Sequence, residues 1–166
     1  EEADVEQGIP MDDGAATLVI MNEGTAGDVR NIERVIEETR RVLRPGGRAL
    51  FSFYNYEALL YRQPCYPYET SLAAGINLDR QCLDVCAPTG RIFQIHAKPY
   101  TVEEVKRLFG EGLDLVEVST YPTTIAIQAN DLFEVSHGVP AELVAIDREM
   151  SAMNYGAYIV AVAKRR

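Results

Sequence analysis

The sequence has no tryptophan, only two histidines and only three cysteines, Cys65, Cys82 and Cys86, in 166 residues. A low, odd cysteine count excludes a disulfide scaffold and suits a reducing cytoplasm. Cys82 and Cys86 would share a face if their segment were helical. Structural zinc wants four ligands and no histidine lies close to the pair, so both read as small buried side chains and no metal is expected. No apolar run is long enough to cross a membrane, so no membrane role is expected. The acidic start, Glu1, Glu2 and Asp4, shows no signal peptide. Positive charge is also in short supply: 16 Lys and Arg stand against 25 Asp and Glu, a net charge of −9. Such a surface repels phosphate backbones, which disfavours a nucleic-acid-binding role. The local basic groups, Arg40, Arg41, Arg44 and Arg48 with Lys164 to Arg166, read as solvated surface, the first group near a helix end where cations suit the dipole.

What is present is an ordered series of elements. A composition of 47% hydrophobic and 25% charged residues suits one globular domain with a real core. Ala15 to Met21 (AATLVIM) is a short, β-branched apolar run after the turn-like Asp12, Asp13, Gly14. It predicts a strand buried on both faces, as in a parallel sheet. Ile32, Val35, Ile36, Thr39, Val42 and Leu43 follow at helical spacing, with Glu33, Glu37, Glu38, Arg40 and Arg41 on the wet side. Asp28 or Asn31 can cap this helix. Arg44, Pro45, Gly46 and Gly47 end it, because proline cannot continue the ladder and glycine accepts a left-handed exit. Arg48 to Tyr54 (RALFSFY) is then a second strand, which completes a βαβ unit.

Residues 56–98 are irregular. A short helix over Glu57 to Arg62 and a strand over Arg91 to Ile95 are expected within an insertion lying over the sheet. Thr101 with Glu104 is a capping box, opening a helix with Val102, Val105, Leu108 and Phe109 as its stripe. Leu113 to Thr120 alternates as a half-exposed strand does. Pro140 opens a last helix with Leu143, Ile146, Met150 and Met153 on one side. Asn154, Tyr155 and Gly156 turn into a final apolar strand, Ala157 to Ala163. Tyr121 to Val139 receives no assignment, and His137 falls inside it.

The segments PMDDGAATLVIMNE, ETRRVLRPGGRALFSFYN, YTVEEVKRLFGEGLDLVEV and GAYIVAVAKR, in this order, resemble class I S-adenosylmethionine-dependent methyltransferases. The nearest flavour is the small-molecule group that includes the quinone and sterol enzymes. The resemblance implies an α/β fold: a Rossmann-like sheet, mostly parallel with an antiparallel last strand, and helices on both faces. One partial methyltransferase-like domain would span 1–166, with the insertion at about 56–98. The family grips its cofactor with a glycine-rich loop after its first strand, where the ligand must come within contact distance of the backbone. This sequence has no such loop. Gly24, Thr25, Ala26 and Gly27 come nearest, but they follow the wrong strand at the wrong spacing. The resemblance therefore places the first three strands upstream of residue 1 and makes this chain the C-terminal half.

The resemblance also assigns candidate residues. Asp4 and Val5, followed by Gly8, Ile9 and Pro10, match the family's adenine-contacting element, where a carboxylate suits an amine that only donates. Met21, Asn22 and Glu23 end the first strand, and ligands in open α/β sheets sit at carboxyl ends of strands. By the same rule Tyr54, Asn55 and Tyr56, joined by Tyr61, Tyr66 and Tyr68, are candidates to line a substrate pocket. Lys98 and Tyr100 are placed to meet an anionic substrate. His96 is the candidate general base, although many methyl transfers need only proximity and in-line alignment. An ordinary structural role competes with each assignment.

Two classes of function follow. The first is an enzyme portion that transfers methyl from S-adenosylmethionine to a small-molecule acceptor when an upstream half is present. The second is an inactive methyltransferase-like module that associates through an uncovered sheet edge, with another protein or a second copy of itself. A nicotinamide-type α/β fragment ranks behind both. An edge strand apolar on both faces also predicts a homo-oligomer.

Overall fold

The computed structural model describes residues 4–62, 73–77, 80–87, 89–123 and 139–166. Cys65, Tyr66, Tyr68 and His137 lie outside the described residues. The described elements run, in chain order, β1 (Ala16–Met21), α1 (Thr25–Asp28), α2 (Ile32–Val42), β2 (Leu43–Tyr54), α3 (Leu59–Arg62), β3 (Ala73–Asn77), β4 (Cys82–Cys86), β5 (Ile92–His96), α4 (Val102–Leu108), β6 (Leu113–Tyr121), α5 (Ala141–Met150) with a 3-10 turn at Ser151–Met153, and β7 (Tyr158–Arg165). Among these described residues no helix is long and apolar enough to cross a membrane.

The predicted βαβ unit forms. β1 pairs parallel with β2, from Leu18 opposite Arg48 to Met21 opposite Phe51. Asn31 caps α2, its side-chain oxygen accepting from the Arg34 amide at 3.0 Å. Asp28 does not share that job; it ends the short α1 instead. The left-handed glycine exit expected for this helix is corrected: α2 ends into Leu43, whose backbone is already extended, and Gly46 takes its φ of 79° within the irregular start of β2. The Arg165 guanidinium from β7 then donates to the Arg41 and Leu43 carbonyls, closing the helix end.

The main sheet has the order β1-β2-β7-β6. β7 runs antiparallel to both β2 and β6, so three strands point one way and β7 the other. The expectation of a mostly parallel sheet is thus corrected in its pairing. Because β7 sits between β2 and β6, the one parallel pair among the described residues is β1 with β2. A second sheet, β3-β4-β5, is antiparallel throughout.

The core lies on one face of the main sheet. Ala49, Phe51 and Phe53 alternate along β2 and face Ala163, Ala161 and Ile159 across the ladder. The small alanines leave room for the rings, and Phe51 meets Phe109 edge-on at 5.6 Å. Ile32, Val35, Ile36 and Val42 of α2, with Val102 and Val105 of α4, cover this face. Each large side chain so buried contributes about 1.5–3 kcal/mol. The other face is different. Leu18 and Ile20 of β1 are 55% and 58% exposed, and Val116 is 57% exposed. Ile20, Leu50 and Val162 form a row across three strands on that side. β1 was expected to be buried on both faces; here it is an edge strand covered on one.

Three further readings are corrected. Glu38 and Arg41 do not both point to water: Glu38 is 5% exposed and Arg41 half-buried. On α5, Ile146 and Met153 are exposed, and the fully buried residue is Asp147, whose carboxylate accepts from the Thr123 amide at 2.9 and 3.0 Å. Cys82 and Cys86 lie in a strand, not a helix, and are both free and buried.

Candidate functional site

The carboxyl ends of β1 and β2 meet beside α1, and this is where the candidate residues gather. Met21 is half-buried at the strand end, and Asn22 and Glu23 are exposed just beyond it. The Asn22 carbonyl accepts from the Thr25 amide at 3.2 Å and from the Thr25 hydroxyl. Glu23 holds a φ of 56°, a left-handed geometry uncommon outside glycine. Gly24 follows with a φ of 81° and donates its amide to the Ser52 hydroxyl at 2.9 Å, tying the turn to β2.

The glycines at 24 and 27 have a definite use. A Cβ at Gly24 would come within 2.6 Å of the Tyr54 ring, and one at Gly27 within 2.7 Å. α1 therefore lies directly on the ring face of Tyr54. The pair of glycines is filled by this chain's own aromatic side chain and is not a cradle for a ligand.

Tyr54 is buried, with Tyr61 at 6.2 Å and Tyr158 at 5.8 Å between ring centroids. The Tyr54 phenol and the Asp28 carboxylate act on one another's protonation. Burial pushes the Tyr54 and Tyr61 phenols well above the usual range. The part of Asp28 facing Tyr54 is desolvated, which raises its carboxyl, while the Tyr54 phenol and nearby His96 pull it down. His96 ends β5 and is exposed. Asp28 and Tyr158 were not assigned to a site from the sequence. The signal for Asp28 was its place one turn beyond a strand end; Tyr158 opens a strand whose sequence gives no such cue.

The other predicted residues divide. Asn55 is fully buried; its amide donates to the Asn154 and Gly156 carbonyls at 2.8 and 2.7 Å, and its oxygen accepts from the Glu57 amide at 3.0 Å. It joins the end of β2 to the approach of β7 and presents no face to a substrate. Tyr100 is also buried, edge-on to Phe53 at 5.1 Å, with its phenol pushed up to about 12 by burial. Lys98 places its ammonium 4.6 Å from the Tyr100 ring centroid, a cation–π contact. Tyr56 and Lys98 line a cleft of about 280 Å³ with Gln81, Pro99, Thr101 and Glu104. A larger groove of about 600 Å³ runs between α2 and Arg107 to Leu113, along the flank of the helix rather than at the strand ends.

Asp4 and Val5 reach the same end of the sheet. The Asp4 carboxylate accepts from the Glu6 amide and the Gln7 side-chain amide, both at 3.0 Å. Glu6 accepts from the Asn31 amide at 2.6 Å, which fixes this turn to the start of α2. Val5 and Ile9 pack against the core.

The Asp4 carboxylate, bonded to Glu6 and Gln7, and the exposed Asn22 and Glu23 offer acceptors, the chemistry the adenine amine of S-adenosylmethionine asks for. The methionine end needs closely approachable backbone, and the two close glycines here are occupied by Tyr54.

Comparison with known proteins bears on the fold. Residues 1–51 match a family model described as a methyltransferase domain. No curated protein matches the chain. Among solved structures, a SAM-dependent methyltransferase from Methanosarcina mazei superposes with a TM-score of 0.57 at 14% identity, covering 98% of this chain and 65% of that one. One from Mesorhizobium loti gives 0.53 at 15% identity, covering 99% and 68%. The geranyl diphosphate C-methyltransferase from Streptomyces coelicolor A3(2), solved with Mg2+, geranyl diphosphate and S-adenosyl-L-homocysteine, gives 0.52 at 19% identity, covering 100% and 52%. The fold is that of the class I methyltransferases. The chain spans about half to two thirds of the length of these structures.

Proposed function

We propose that this chain, with its class I methyltransferase fold, is the C-terminal portion of a catalytic domain that methylates a small molecule. S-adenosylmethionine, when bound, supplies a methyl group on a positively charged sulfur. In this reading Asp4 and Val5 meet the adenine edge, and Met21, Asn22 and Glu23 form the floor beneath the nucleoside. Tyr54, Tyr56, Tyr61 and Lys98 stand on the acceptor side. His96 and Asp28, beside Tyr54, are the groups able to take a proton from an acceptor. The methionine end is held by a glycine-rich segment that these 166 residues do not contain. A cytoplasmic setting suits the free thiols.

The observation that carries this reading is the edge position of β1. Among the described residues it pairs on one side only, with β2, which leaves its other backbone edge open where a sheet could continue. The same feature supports a second reading, a catalytically inactive module that associates through this edge or as a homo-oligomer. Titration calorimetry with S-adenosylhomocysteine separates them. The enzyme reading expects no heat from the chain alone and saturable binding once a strand and glycine-rich loop are supplied. Absence of binding in both cases would leave the module.

A further inference from the structure

A densely bonded pair of charged side chains, Glu38 and Arg41, lies away from the strand ends. Glu38, in the middle of α2, is buried, yet it accepts from the Ile9 amide and from Arg41 and pairs with Arg34. Its Oε2 takes the Ile9 amide at 3.1 Å and the Arg41 Nη2 at 2.9 Å, and its Oε1 lies 3.4 Å from the Arg34 guanidinium. Arg41 then reaches back across the same segment. Its Nη2 donates to the Ile9 carbonyl, and its Nη1 to the Met11 carbonyl and the Asp13 carboxylate, all at 2.8 Å. The Gly14 amide donates to the Arg41 carbonyl at 3.0 Å. Residues 4–13 contain no helix or strand of their own. A segment without a ladder must be held from outside, and here a single carboxylate–guanidinium pair meets both the amide and the carbonyl of Ile9.

We infer that Glu38 and Arg41 are positioning residues for cofactor binding. They hold the Asp4–Asp13 segment against α2 and thereby fix Asp4 and Val5 at the carboxyl end of the sheet. The inference rests on the proposed S-adenosylmethionine site, since Asp4 and Val5 matter to a ligand only in that reading. The geometry of the hold belongs to the chain itself. Charge-assisted hydrogen bonds are shorter and stronger than neutral ones, so one such pair can order a stretch that has no regular structure. Glu6, bonded to the Asn31 amide, secures the other end of the stretch. With the pair broken, the turn at Asp4 keeps its own hydrogen bonds but loses its place relative to Met21 and Asn22. An adenosine group would then have to order the segment as it binds, which lowers affinity without altering chemistry at the sulfur.

The test uses Glu38→Gln, which keeps the shape and removes the charge, and Arg41→Lys, which keeps the charge and removes the fork. Amide exchange is followed at Ile9, Met11 and Gly14, with Val35 and Ala161 reporting on the core. S-adenosylhomocysteine affinity and steady-state kinetics are measured in protein that carries a glycine-rich segment. We expect exchange at Ile9 and Met11 to rise about tenfold or more in Glu38→Gln with the core amides unchanged. The cofactor Kd and KM should rise about tenfold while kcat at saturating cofactor stays within about twofold. Arg41→Lys should fall between wild type and Glu38→Gln. Unchanged exchange at Ile9 would overturn the latch. Faster exchange with unaltered affinity would overturn its link to the cofactor. A wild-type protein that binds no S-adenosylhomocysteine would instead overturn the site on which the inference rests, while the exchange data would still judge the latch.

Discussion

Gly24 and Tyr54 touch so closely that no side chain fits between them: a Cβ at position 24 would lie 2.6 Å from the ring. The backbone there also has a φ of 81°, which side chains other than glycine rarely adopt. The contact fixes α1 over the end of β2, where the candidate site lies. Gly24→Ala should therefore lower stability by about 2–4 kcal/mol, from overpacking and left-handed strain together. Urea denaturation reads this directly. Adding Tyr54→Ala should recover the overpacking part and leave the strain, so the two changes should couple by at least about 1 kcal/mol in a double-mutant cycle.

Asn55 gives a different prediction. It was read as a pocket residue because it ends a strand, but its side chain is spent on the backbone of residues 154 and 156. Asn55→Ala should cost about 2–4 kcal/mol, because it leaves two carbonyls, one of them buried, without their donor. Any loss of activity should parallel the loss of folded protein, measured by circular dichroism on the same samples.

Much of the fold was legible in the sequence. The run AATLVIM and the α2 stripe are local patterns, and local geometry fixes what they become, whereas Arg44 to Gly47, read as the turn that ends the helix, enter β2 instead. The capping box at Thr101 and Glu104 forms as read, with the Thr101 amide donating to Glu104 at 2.7 Å. Glu38 and Arg41 were not legible. Helical periodicity puts them at the margin of the wet face, and only a segment about thirty residues earlier turns that margin into an interior. β3 and β4 escaped for a related reason. Their short stretches gain strand character from pairing with each other and with β5, and β4 from burying Leu83 and Val85 against Tyr54 and Tyr61. Asp147 on α5 is another case: its burial comes from capping Thr123, 24 residues away.

Glu38 also predicts a pH dependence. Its hydrogen bond with Arg41, then that from the Ile9 amide, hold its carboxyl below the usual range. A carboxyl whose pKa is lower folded than unfolded adds stability above its unfolded value, and loses it as pH falls through its folded value. Arg34 and Arg41 face it from α2, and Asp13 meets Arg41 from the segment. Stability measured by urea denaturation should thus decline below about pH 4.3 in wild type, the ordinary glutamate value. The decline should be shallower in Glu38→Gln. Identical acid limbs in the two proteins would count against the pair as an ionic contact.

The exposed edge of β1 predicts association without a folding penalty. Ile20 is 58% exposed and Leu18 55%, so Ile20→Lys should change stability by no more than about 0.5 kcal/mol. If the edge is paired in solution, the same change should shift the protein toward monomer in light scattering at high concentration. An unchanged mass would show that this edge is not the contact.

The most direct measurement of the central claim is an amide NMR titration of S-adenosylhomocysteine into isotopically labelled chain, with the glycine-rich segment supplied. The account predicts that Val5, Met21 and Asn22 shift together with one saturation curve. Shifts confined to β3, β4 and β5, or none at all under conditions where the folded spectrum is intact, would contradict it.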